Sequence, residues 1–192
     1  MIKLQLPASE ADIRKLKIGD EVLLSGLMVT GRDAAHTYLV KELRPEYKNV
    51  LDGTCIYHCG PIVAKDKNGW RFVSAGPTTS IREEPYEATV IKNYGVRGII
   101  GKGGMGQKTL DALKECGAVY FHAVGGLAAV LAESVTKVPN VYLLEEFGVP
   151  EAIWQIEVKD FPVVVTMDSH GNSLHKTVKE GSDQQTNKLL GL

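Results

Sequence analysis

The chain has 192 residues, 44% hydrophobic and 23% charged, with a net charge of −1. This length fits one domain, 1–192, with a real core, and the near-neutral balance gives no reason to expect nucleic acid or an anionic membrane as partner. No apolar run reaches the roughly 18 residues of a spanning helix. The opening MIKLQLPASEADIRKL lacks the apolar stretch of a signal peptide, and three cysteines suit a reducing compartment. A cytoplasmic chain is expected.

Ile2–Leu6 alternates like a short strand, and Ser9 is placed to cap a helix running through Leu16, with Glu10 and Asp12 in its first turn. Asp20–Thr30 reads as a strand, Gly31-Arg32-Asp33 as a turn, and about Ala34 to Leu43 as a helix that Pro45 stops. Residues 46–76 are rich in Gly and Asn, and their β-like runs Thr54–Tyr57 and Trp70–Ser74 suggest hairpins. From residue 77 helix and strand alternate. Thr79–Tyr94 is helical in pattern, Gly98–Ile100 a strand, Gln107–Cys116 a helix, Ala118–His122 a strand and Leu127–Val135 a helix. Val141–Leu144, Ile153–Val158 and Val163–Asp168 read as strands, Asp168–Gly171 as a turn, and the tail from Ser173 is polar with a weak helical pattern. A strand-heavy first half and a βαβ-like second half predict a layered α/β domain with a mixed sheet.

The most informative stretch is Arg97-Gly-Ile-Ile-Gly-Lys-Gly-Gly-Met-Gly106. Its glycines allow close approach of the backbone to an anion, the following helix start adds partial positive charge, and Lys102 adds a full one. GKGGMG also satisfies G-x-G-x-x-G between a strand and a helix. A dinucleotide site, however, expects an acidic residue about 20 positions on, and Gly117 to Ala132 holds no Asp or Glu. A P-loop would end in Gly-Lys-Ser/Thr, which this loop does not.

Two further cationic turns, Gly31-Arg32-Asp33 and Gly76-Pro-Thr-Thr-Ser-Ile-Arg82, also stand where a β-like run gives way to a helix. Arg32 and Arg82 can each take a carboxylate bidentately, and Lys102 supplies a compact charge, a set that suits a small dianion. Thr78 and Thr79 are either helix N-caps or hydroxyls presented to a ligand. His36 and His170 read as structural or solvated. Cys55-Ile-Tyr-His-Cys59 has loose zinc spacing with His58 between the thiols. No second ligand pair follows at a finger-like distance, so structural thiols and no metal site are expected.

The words GRDAAH (31–36), YHCGP (57–61), GPTTSIR (76–82), IGKGGMG (100–106), GAVYFHAVGG (117–126), EAIW (151–154) and DFPVVVTMDSHGNSL (160–174) together resemble the β subunit of iron–sulfur hydro-lyases, class I fumarase and L-tartrate dehydratase. Glu83 stands where the pattern suggests methionine, a departure that leaves the cation at Arg82 intact. The resemblance implies a swivelling β/β/α domain and reversible hydration of fumarate to L-malate, with L-tartrate dehydration as the alternative. It implies a four-iron, four-sulfur cluster ligated by a separate α subunit, so that Cys55, Cys59 and Cys116 bind none. By the same resemblance Arg32, Thr79, Arg82 and Lys102 bind the dicarboxylate substrate, and Thr78 is the catalytic base. Without its α partner the chain is expected to be able to pair with a second copy through an exposed apolar patch.

Overall fold

A computed structural model describes residues 1–67 and 69–191. The strands are β1 (Ile2–Leu6), β2 (Glu21–Thr30), β3 (Cys55–Tyr57), β4 (Ile62–Asp66), β5 (Gly69–Ser74), β6 (Gly98–Gly101), β7 (Val119–His122), β8 (Val135–Tyr142) and β9 (Ile153–Met167). The helices are α1 (Glu10–Ile13), α2 (Asp33–Lys41), α3 (Lys48–Leu51), α4 (Glu84–Tyr94), α5 (Gln107–Cys116), α6 (Ala128–Glu133), α7 (Leu144–Phe147) and α8 (Leu174–Leu190). None is long and apolar enough to cross a membrane.

The large sheet runs β1-β2-β3-β6-β7-β9-β8, and β9 pairs with β2 as well. The ladder therefore passes round a closed ring of β2, β3, β6, β7 and β9. Strands β1, β2, β3, β6 and β7 are parallel, while β9 runs antiparallel to β2, β7 and β8. Parallel strands buried on both faces carry apolar side chains at successive positions. Here the alternation sends Met28, Tyr57, Ile100 and Phe121 to one core, and their neighbours Val29, Ile56, Ile99 and Tyr120 to another. The first core is covered by the β4–β5 hairpin and α6, the second by α2, α4 and α5. The outcome is the expected α/β fold with a mixed sheet, with the hairpin over one core and the helices over the other. In the first core the Trp154 ring, fully buried, meets Trp70 and Phe72 edge-on at 5.3 and 6.0 Å. Truncation of Trp154 to alanine would cost about 3–5 kcal/mol.

Several local readings need correction. Thr54–Tyr57 is no hairpin arm: β3 lies between β2 and β6, parallel to both, and the hairpin described within residues 46–76 is β4–β5. Its burial on both sides, not turn chemistry, decides its partners. The strand expected over Val141–Leu144 begins earlier, at Val135, and includes Pro139; β8 is an edge strand, where a missing N–H is tolerated. The runs Ile153–Val158 and Val163–Asp168 are one strand, bent at Asp160 (φ 51°). Pro45 opens a 3₁₀ turn (Pro45–Tyr47) after α2 has already ended at Lys41.

Candidate functional site

Each parallel strand of the ring ends on the same edge, where ligands commonly bind in α/β sheets. The turns that follow are 31–32 after β2, 58–60 after β3, 102–106 after β6 and 123–127 after β7. Direct contacts tie them together. Thr79 and Lys102 form an isolated parallel bridge, in which the Lys102 N–H donates to Thr78 O (3.3 Å) and the Ser80 N–H to Lys102 O (3.0 Å). Arg82 pairs with Asp33 across the gap between the second and first cationic turns. Arg32 lies over Gly60, where a Cβ would overlap its guanidinium. All five residues singled out from sequence thus belong to one contiguous edge.

Their charges are not equally available. Arg32 Nε stands 3.3 Å from Glu151 Oε1, and Glu151 also accepts from the Ala34 N–H at the start of α2 (3.1 Å). Arg82 is half-exposed but held by Asp33. Among the described residues Lys102 has no acidic partner, and it is half-buried beside Gly103 and Gly125. Thr79 is the N-cap of the 3₁₀ turn Ser80–Glu83, yet its side chain makes no capping bond. The Thr78 main chain is fully used, its N–H donating to His58 O at 2.6 Å and its carbonyl accepting from Lys102. Neither threonine hydroxyl has a hydrogen-bond partner among the described residues. The edge therefore presents one unneutralised ammonium, two uncommitted hydroxyls and two guanidiniums at its rim, a set able to receive a small anion with two charged ends.

The glycine-rich loop serves a different purpose from the one its spelling suggests. The start of α5 is already occupied by an anion of the protein itself: Glu84 accepts from the Gly106 N–H (2.7 Å), the Thr109 N–H (3.3 Å) and the Thr109 hydroxyl (2.7 Å). A pyrophosphate would find its seat taken, which removes the physical basis of the dinucleotide reading. Gly103 and Gly104 take φ of +84° and +76°, as a side chain would not. Gly101 is required for space, because a Cβ there would overlap Ser80 Oγ.

Behind the edge lies a buried polar network that sequence reading missed. His58 Nε2 lies 2.9 Å from Glu87 Oε2, and His58 Nδ1 2.9 Å from Ser80 Oγ, which meets Tyr120 OH at 2.8 Å. His36 Nε2 stands 3.1 Å from the same Glu87 oxygen, and its Nδ1 is 2.9 Å from Arg32 O. Burial works against a charged His36, but Glu87, with Glu83 behind it, outweighs burial and raises His36 to about 9. Burial pushes the Glu87 carboxyl up, yet His36 and His58 draw it down to about 2. Burial lowers His58 and keeps it neutral. Glu83, with only 1% of its side chain exposed, is raised by burial, against the pull of His36 and with the help of Asp33, to about 7. The signal in sequence was faint: Glu83 and Glu87 one helical turn apart, and His36 four residues after Arg32. Glu83 replaces an expected methionine and is therefore not a neutral departure, since it adds a buried acid to this network.

His36, His58 and Glu87 also form, among the described residues, a group of three metal-type ligand atoms within 4.8 Å of one another. The cysteines form none. Cys55 and Cys59 are buried in the first core and Cys116 sits at the far end of α5. Burial pushes the Cys55 thiol up and Cys59 up to about 12. Thiols this reluctant to ionise, and this far from convergence, do not fit an iron–sulfur cluster.

Residues 1–178 match the Fumarase C-terminus family, and the chain belongs to it. It is 55% identical over 183 residues to a protein of Geobacillus stearothermophilus provisionally named fumarate hydratase class I, covering 95% of this chain but 35% of that one. It is 44% identical over 187 residues, 96% of each chain, to a Methanocaldococcus jannaschii protein provisionally named L(+)-tartrate dehydratase subunit beta. To the L(+)-tartrate dehydratase subunit beta of Escherichia coli strain K12 it is 38% identical over 172 residues, 89% of this chain and 85% of that one. The chain thus spans about a third of the fumarate hydratase relative and nearly all of the β subunits.

Proposed function

We propose that this chain is the β subunit of a cytoplasmic hydro-lyase that adds water reversibly to fumarate to give L-malate, working with a separate α subunit. The observation that carries the reading is the edge itself, with Lys102 free of any acidic partner among the described residues, beside the uncommitted hydroxyls of Thr78 and Thr79. In this reading Lys102 and Arg32 hold the substrate carboxylates, with Arg82 exchanging Asp33 for substrate at the rim. As a proton next to a carboxylate is removed, negative charge builds on that carboxylate, and fixed cations stabilise it more than they stabilise the ground state. Thr78 carries the proton and Thr79 orients the substrate. A four-iron, four-sulfur cluster in the α subunit would supply a Lewis acid for the hydroxyl that leaves or arrives. This chain holds the carboxylates and moves the proton.

L-tartrate dehydration is the second reading, supported by the names of the relatives that match over nearly their whole length. Anaerobic co-purification with the α subunit, followed by assays on fumarate, L-malate and L-tartrate, decides between them. Turnover of none of the three would end both.

A further inference from the structure

We infer that His36, Glu87 and His58 form an internal strut that sets the positions of all three cationic turns, which makes them positioning residues for Arg32, Thr78 and Lys102. The inference rests on the reading of the edge as the substrate site.

The connections are direct. Arg32 O receives two donors from one residue, the His36 N–H and His36 Nδ1–H, both at 2.9 Å. Thr78 hangs from His58 O. The His58 N–H donates to Ile100 O (2.8 Å), two residues before Lys102, and Ser80 holds Lys102 by its main chain and His58 by its hydroxyl. Both imidazoles meet on one oxygen of Glu87. Removing Glu87 would therefore release both rings, and each ring holds a different turn.

With Glu87 ionised, the donors and acceptors follow. A carbonyl only accepts, so His36 Nδ1 carries a proton; facing a carboxylate, Nε2 carries one too, and the ring is an imidazolium. His58 donates from Nε2 to Glu87, which leaves Nδ1 to accept from the Ser80 hydroxyl, and Ser80 Oγ in turn accepts from Tyr120. The charges of His36 and Glu87, both buried, cancel each other, which makes the pair tolerable. Glu83 Oε2, 3.6 Å from His36 Nδ1, and Asp33 are the other acids facing this group. His58 Nε2 and His36 Nε2, 2.9 and 3.1 Å from one Glu87 oxygen, are at hydrogen-bond distance, and the strut takes these contacts as shared protons in place of a metal ion.

Glu87→Gln tests the strut in the assembled enzyme and in the chain alone. Misplaced binding groups lower kcat/KM by about 10- to 100-fold, and Glu87→Asp should recover part of that loss. In the ¹⁵N-histidine-labelled chain, His36 should show both ring nitrogens protonated at pH 7 and His58 only Nε2. Glu87→Gln should neutralise His36 and shift the amide signals of Arg32, Thr78 and Lys102 together. Should that variant fail to fold, Ser80→Ala, which removes no charge, should still shift the Thr78 and Lys102 signals. The spectra need no substrate, so they stand or fall apart from the hydro-lyase reading. A neutral His36 at pH 7, amide changes confined to α4, kcat/KM within twofold of wild type, or stoichiometric zinc in the purified chain would each overturn the inference.

Discussion

Replacing Glu83 by methionine should stabilise the chain, and more so as the pH rises. The Glu83 carboxyl is buried and titrates near 7, against 4.5 when exposed. A folded-state value above the unfolded one means that stability is fully present below about pH 4.5 and lost as the pH climbs through 7. At about 1.4 kcal/mol per pH unit the loss comes to about 3–4 kcal/mol. The pull of the His36 imidazolium 3.6 Å away is already contained in that value; relaxation around the buried carboxylate offsets part of the loss, and a net gain of about 1–3 kcal/mol is expected for Glu83→Met at pH 8. For a chain of this size that corresponds to a rise of about 3–9 °C in Tm. Thermal unfolding of wild type, Glu83→Met and Glu83→Gln from pH 4 to 9 measures it. The gap should be small at pH 4 and open by pH 8. His36, raised to about 9 mainly by Glu87 and partly by Glu83, adds a second decline above about pH 6.5 that should be smaller in the two variants. Parallel curves at every pH, or a less stable methionine variant at pH 8, would refute the reasoning.

Thr78→Val should reduce kcat by about 10²–10⁴-fold in the assembled enzyme while costing less than about 1 kcal/mol of stability, since its hydroxyl holds nothing in the fold; normal turnover would reduce Thr78 to a backbone link. Lys102→Met should raise KM and lower kcat, with about a 30- to 1,000-fold loss in kcat/KM by steady-state kinetics. Glu84→Ala leaves three donors at the start of α5 unmatched and should lower Tm by about 3–6 °C; an unchanged melting curve would show that water replaces the carboxylate freely. The chain alone should be folded, colourless and inactive on fumarate, and an iron–sulfur absorption band after reconstitution would contradict this.

The turns of the edge were legible in sequence because each combines glycine with a cation at a change of hydrophobic period. The spelling did not disclose which charges are free, because Asp33 and Glu151 reach Arg82 and Arg32 from other segments. Local pattern likewise could not distinguish Cys55–Tyr57 as a central parallel strand from a hairpin arm, since three apolar residues suit either. The His36–Glu87–His58 network joins residues as much as 51 positions apart, and no spacing rule links them. It becomes visible only when α2, the end of β3 and α4 are packed together. The same loop spelling that suggested a bound phosphate is explained by Glu84 at α5 and by the room Ser80 needs beside Gly101.

The ring of strands also has a consequence for synthesis. Strand β2 leaves the ribosome early, but β9, which covers one of its edges, follows about 130 residues later, a delay of roughly 7–25 seconds at about 5–20 residues per second. Until then β2 offers a row of unpaired N–H and C=O groups to any neighbouring nascent chain. Slower translation or premature termination ahead of Ile153 should therefore raise the yield of insoluble protein, whereas the finished ring leaves that edge nothing to recruit.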